Sequence, residues 1–139
     1  MAPLIVQIVT TLLARLLVSW RDAARYGLAV MFLFTGASHF SSLKYDLASM
    51  IPPPFTGSLP LIYLTGVLEI LGAIGLLTRW RRAAAWFLIV LLVLLFPANV
   101  YAAVRGVTLN GAPATALWLR APLQLFWAGA LWWVAGRRD

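Results

Sequence analysis

The chain has 139 residues, 63% of them hydrophobic and 11% charged, where a soluble globular domain averages roughly 45–50% and about 25%. Its length suits one domain. The lack of cysteine excludes disulfides and thiolate chemistry, and the single histidine excludes multi-histidine metal or haem ligation within one chain. The net charge of +7 rests on ten arginines and one lysine, which flank apolar runs instead of forming one basic face, so nucleic acid is not the expected partner and membrane lipid is.

Residues 3–20 read PLIVQIVTTLLARLLVSW. Gln7, Thr11, Arg15, Ser19 and Asp22 fall within about a third of the helical circumference at ~100° per residue. This stripe predicts an amphipathic helix lying in the cytoplasmic interface, continuous with the following span or separate from it. A fifth span is the rival reading. With no charged leading region and with Arg15 interrupting the apolar run, the segment does not read as a signal peptide.

Four spans follow. The first covers 26–40 (YGLAVMFLFTGASHF) with a few residues from 22–25. The others cover 59–78, 83–104 and 117–136. Each approaches the ~20 residues that a helix needs to cross the ~30 Å hydrocarbon layer. Between them lie a long loop with Pro52, Pro53 and Pro54, a tight basic turn RWRR (79–82), and a turn RGVTLNGAPATA (105–116) marked by Asn-Gly and Pro. The expected fold is therefore an all-α membrane protein: an N-terminal amphipathic segment (1–24) and a four-helix transmembrane domain (25–139).

Arginines set the orientation. With four spans, Arg21, Arg25, Arg79, Arg81, Arg82, Arg137 and Arg138 share one side, which the positive-inside rule makes cytoplasmic, both termini included. The outer loops carry Lys44, Asp46 and Arg105. Trp20, Trp80, Trp132 and Trp133 fall at the inner interface and Trp118 at the outer one, as membrane-belt anchors.

This topology assigns each polar residue a depth at ~1.5 Å per residue. Glu69, ten residues into the second span, falls ~15 Å down, near the midplane. His39 ends the first span, Asn99 follows Pro97 in the outer third of the third, and Arg120 and Gln124 share a face of the outer fourth. Thr65, Gly66, Glu69, Gly72 and Ala73 share a face whose small residues admit a neighbouring helix, so Glu69 points into the bundle. A charge at a helix centre costs about 2.5–3.5 kcal/mol on insertion scales, so Glu69 requires a partner, and Arg120, reached directly or through Gln124 or water, is the expected one. Glu69 reads either as a structural clasp between helices or as a proton- or ligand-handling group.

GASHF (36–40), IPPPF (51–55), LTGVLEILGAIGLL (64–77), FPANVYAA (96–103) and LRAPLQLFWAGALWW (119–133) together resemble, in collinear order over roughly residues 25–136, the DoxX family of small bacterial membrane proteins. The resemblance implies a four-helix membrane bundle in the bacterial cytoplasmic (inner) membrane, with His39, Glu69, Asn99, Arg120 and Gln124 as recurring polar residues. It also implies links to thiosulfate:quinone oxidoreductase subunits, thiol-stress complexes and quinone detoxification. Three functions are open. The first is a membrane component of an oxidoreductase or detoxification system that binds a quinone-like lipophilic ligand through His39, Glu69, Asn99, Tyr101, Arg120 and Gln124. Glu69, His39 and Arg120 would carry any chemistry, without metal, and a membrane or redox partner protein would supply electrons. The second is a non-catalytic scaffold or assembly factor. The third is a small proton-coupled transporter working as a homo-oligomer.

Overall fold

In a computed structural model the described residues are 1–109, 111–113 and 116–136. Asn110 of the expected Asn-Gly turn, and Arg137 and Arg138 of the expected basic C-terminus, lie outside them. In chain order the described elements are α1 (Ala2–Arg15), α2 (Trp20–Ser38), α3 (Lys44–Ser49), α4 (Leu59–Leu76), α5 (Arg81–Arg105), β1 (Thr108–Leu109), β2 (Ala112–Pro113) and α6 (Leu117–Ala135).

Local chemistry sets the helix ends. Ser19 accepts from the Asp22 N–H at the start of α2, and Ser58 from the Leu61 N–H at the start of α4. Each satisfies one of the orphan donors of a first turn. Pro3 and Pro60 sit in first turns, where a missing N–H costs no hydrogen bond. Gly106, with φ 66°, closes α5 in the left-handed conformation that glycine adopts without strain.

The four long helices match the expected spans within about two residues. Two of them, α4 and α5, are long and apolar enough to cross a membrane. The short α3 and the small antiparallel β1–β2 ladder, pairing Thr108 with Pro113 and Leu109 with Ala112, were not foreseen.

α2 is the hub, packed on α1, α4 and α6, while α5 joins α4 to α6. Glycines let the helices close in. A Cβ on Gly36 would stand 3.0 Å from the Gly66 carbonyl oxygen, and one on Gly66 would stand 2.7 Å from the His39 Cβ. Lower down, Gly72 faces Leu88 and Gly75 faces Ala84. Leu28, Met31, Leu76, Leu88 and Leu131 fill the fully buried centre.

The N-terminal expectation requires correction. α1 is neither continuous with α2 nor laid out with its polar stripe outward. It turns back after Arg15 and packs lengthwise on α2, with Thr11 and the Gln7 backbone against Gly27. Gln7 is buried, whereas Ile5, Ile8, Val9, Leu12 and Leu13 are exposed. Gln7 points inward because it finds a partner there: the Trp127 indole N–H donates to its Oε1 at 2.8 Å. The Gln7 and Thr11 part of the stripe is thus a helix-packing face, whereas Arg15 and Ser19 stay exposed.

Charge is segregated between the two ends. Arg15, Arg21, Arg79, Arg81 and Arg82 gather where α1 and α4 finish and α2 and α5 begin. Arg21 also lies 3.6 Å from where a Cβ on Gly136 would stand, which brings the end of α6 to the same side. There Arg15 stacks over Trp20, Arg21 over Trp133 and Arg79 over Trp80, at 4.9, 5.5 and 5.2 Å. Arg25 is drawn inside, donating to the Leu76 carbonyl at 2.9 Å and to Asp22 at 3.1 Å. It thereby caps the C-terminal end of α4, where partial negative charge collects.

Candidate functional site

The end opposite the arginines holds a cavity of about 390 Å³ between α2, α4, α5 and α6, roofed by Met1–Leu4 and by α3. His39, Glu69, Asn99, Arg120 and Gln124, read from sequence as one polar zone, all line it. Tyr101 is not among the lining residues; it lies under the Arg105 guanidinium, 5.8 Å away. It points elsewhere because it is two positions beyond Asn99, about 200° round the helix. Most of the remaining lining is apolar, including Met31, Phe32, Leu92 and Leu95.

The wall formed by α2 and α4 carries a hydrogen-bonded chain. The close crossing at Gly36 and Gly66 brings His39 and Glu69 together, with Nε2 3.5 Å from Oε1. Both residues are buried. His39 Nδ1 lies 2.9 Å from the Ile62 carbonyl and 3.0 Å from Thr65 Oγ1. A carbonyl only accepts, so Nδ1 carries a proton and donates, and Nε2 faces the carboxyl. On the far side of Glu69, Thr35 Oγ1 lies 2.6 Å from Oε2 and 3.3 Å from the Phe32 carbonyl. Its single proton goes to the nearer oxygen, so Oε2 accepts. Oε1 is left facing Nε2 at 3.5 Å. One proton carried by either group would make the pair neutral, which is the way a buried charge is compensated.

Glu69 therefore pairs with His39 and Thr35, not with Arg120 as expected. The α2–α4 crossing delivers partners at Glu69's own depth, whereas Arg120 starts about two helical turns nearer the surface. Arg120 is half-buried and donates instead to Asn99 Oδ1, linking α6 to α5. Gln124, one turn on, donates to the Leu92 carbonyl at 2.5 Å. Pro97 lies inside α5 and cannot donate to the Val93 carbonyl. Gln124 thus braces the carbonyl next to this interrupted turn.

Several participants were not legible as site residues. Thr35 shares a helical face with His39, one turn away, and a lone threonine there carries no pattern that marks a site residue. Thr65 and the Ile62 carbonyl fix the imidazole, and no side-chain pattern marks a backbone acceptor. Trp127 belongs to the cavity wall and not to a membrane belt, and its partner Gln7 is 120 positions away. Among the described residues no three His, Cys, Asp or Glu side chains converge as a metal site requires. The site offers a facing imidazole and carboxyl on one wall, a guanidinium with a carboxamide on the other, and apolar surface between them.

The family model described as a domain of unknown function (DUF8561) matches residues 28–135. It overturns the DoxX resemblance. The motifs that carried that resemblance are short, mostly apolar stretches with few polar residues, and small residues at helix contacts recur in membrane helices for physical reasons. No curated protein and no solved structure matches the chain.

Proposed function

This chain belongs to the DUF8561 family, and from its own structure we propose that it is a membrane-embedded protein that binds a quinone-like lipophilic ligand, as the membrane component of an oxidoreductase or detoxification system. The reading places α2, α4, α5 and α6 across the bilayer with α1 packed lengthwise on α2, so that Met1–Leu4 fall at the cavity end and not on the cytoplasmic side expected for the N-terminus. Three features support this. The α1 helix buries Gln7 while five of its aliphatic side chains, Ile5, Ile8, Val9, Leu12 and Leu13, are exposed. Only 17% of the most apolar stretch of α5 is buried, and 33% of that of α4, whereas the core helix of a soluble protein is mostly covered. Finally, arginines stack on tryptophans at one end, the arrangement of an interfacial belt, and the positive-inside rule makes that end cytoplasmic. The cavity then opens in the outer half of the membrane.

The observation that carries the ligand class is the pairing of two polar stations across an apolar cavity of about 390 Å³. Small-molecule sites occupy roughly 300–1,000 Å³ and are lined mainly by apolar groups with a few placed polar ones. A flat apolar ring with carbonyl oxygens at opposite edges meets a donor at each: a proton carried by the His39–Glu69 pair at one, the Arg120 guanidinium or Gln124 at the other. The His39–Glu69 pair handles the proton side of quinone chemistry, and electrons come from a partner protein.

The test is equilibrium binding of a tailless methoxy-substituted benzoquinone to the full chain in nanodiscs. Loss of a hydrogen bond to a charged group costs about 1.5–3 kcal/mol, which is roughly ten- to a hundredfold in affinity. Glu69→Gln and Arg120→Met are each expected to weaken binding by that factor. The reading is wrong if folded wild-type protein takes up no more quinone than empty nanodiscs, or if both variants bind as wild type does.

A further inference from the structure

A second concavity, of about 580 Å³, runs along the seam between α1 and α6. Its lining is almost wholly apolar, with Leu12, Phe126, Gly129 and Ala130 in its walls and Trp20 and Trp133 at its basic end. Its other end is Gln7. Gln7 accepts from Trp127 at 2.8 Å, and Trp127 lines the polar cavity. The groove and the cavity are therefore successive compartments of one seam. Leu4 of α1 and Gln124 of α6 face the cavity, Ile8 and Phe126 face the groove, and the Gln7–Trp127 hydrogen bond stands between them.

We propose that this groove holds the apolar tail of the cavity's ligand, and that the Gln7–Trp127 pair is the threshold over which the tail passes. The proposal rests on the cavity reading above and extends it from a headgroup to a head-and-tail molecule: a ring with a polyprenyl or alkyl chain. Three features favour that occupant. The barrier between cavity and groove is the Gln7–Trp127 bond, which joins two neutral side chains and breaks without stranding a charge. The groove continues in the direction such a tail would take. From Leu125 to Trp133 it follows eight residues of α6, about 12 Å at ~1.5 Å per residue, which is the reach of a ten-carbon chain. It is also open for want of side chain: a Cβ on Gly129 would meet nothing within 4 Å, so the sequence keeps space here that any larger residue would fill.

The test compares two probes, the tailless methoxy-substituted benzoquinone and its decyl-tailed counterpart, on the full chain in nanodiscs. Gly129→Phe fills the groove from α6, and Leu12→Trp fills it from the exposed face of α1, so a folding defect in one variant does not remove the test. Wild type is expected to bind the tailed probe at least tenfold more tightly than the tailless one. In both variants that ratio is expected to fall to about the ratio set by bilayer partitioning alone, with tailless affinity unchanged. A tail preference that survives in both variants overturns the proposal. So does native mass spectrometry that finds a phospholipid held by wild type and lost from the variants while the tail preference persists. If the tailless probe fails to bind wild type, the cavity reading falls first and the tail site with it. Tailless binding without a tail preference leaves the cavity reading standing and removes only the groove.

Discussion

Gly66→Ala tests the close crossing on which the site depends. The added methyl would stand 2.7 Å from the His39 Cβ and 3.0 Å from the Gly36 carbonyl oxygen. Restoring an ordinary separation of 3.4 Å from His39 alone requires a retreat of about 0.7 Å, and the second contact is backbone, which does not swing aside. Overpacking of this kind costs about 1–3 kcal/mol. Alanine also gains about 0.8–1.0 kcal/mol over glycine in a helix interior. Gly129→Ala makes the same replacement in open space and collects only that gain, so the propensity term cancels between the two variants. The difference, about 1–3 kcal/mol, corresponds to roughly 4–12 °C in Tm at about 4 °C per kcal/mol for a chain of this size. Thermal unfolding of both variants in one detergent, followed by tryptophan fluorescence, reads it directly. Displacing His39 from Glu69 should also weaken benzoquinone binding in Gly66→Ala and leave it intact in Gly129→Ala. Equal melting temperatures for the two variants would refute the crossing and, with it, the way His39 and Glu69 are brought together.

Asn99→Leu removes the acceptor that faces the Arg120 guanidinium and leaves a half-buried charge without it, whereas Asn99→Leu with Arg120→Met removes both. Breaking one side of such a pair is the more damaging change, so thermal unfolding should rank the double variant above the single one; the reverse order would show that Arg120 reaches water unaided. Gly27→Leu places a Cβ 2.0 Å from Thr11 Oγ1 and 2.8 Å from the Gln7 carbonyl oxygen, which lifts α1 from α2. Trypsin is then expected to cut after Arg15 at least tenfold faster than in wild type, and unchanged protection would mean that α1 is held elsewhere.

Much of the architecture follows from the order of residues alone. Apolar runs bounded by serine, proline, glycine and arginine place the four long helices, because helix length and end chemistry are local properties. The register of the polar residues is local too. Spacing along the chain put His39, Glu69, Asn99, Arg120 and Gln124 toward the end opposite the arginines, and all five line one cavity. Tyr101 failed because proximity in sequence stood in for position on the helix. The DoxX resemblance failed because short apolar motifs did not identify the family, which over residues 28–135 is DUF8561.

Pairing was not local. Glu69 took His39 over Arg120 because Gly36 and Gly66 bring α2 against α4, and the sequence shows the glycines but not which helix each one meets. The α1 helix was read with its polar stripe toward the headgroups because an amphipathic helix beside a membrane ordinarily lies in the interface with its apolar face in lipid. Whether that rule or its inverse holds depends on the surroundings of the folded chain. The partner that draws Gln7 inward, Trp127, comes from the last helix. Composition and helical period thus determined how many long helices form, where they end and where along its helix each polar group lies. Helix contact in three dimensions alone decided which polar groups pair, because hydrogen bonds act over about 3 Å and sequence spacing does not specify distance between helices.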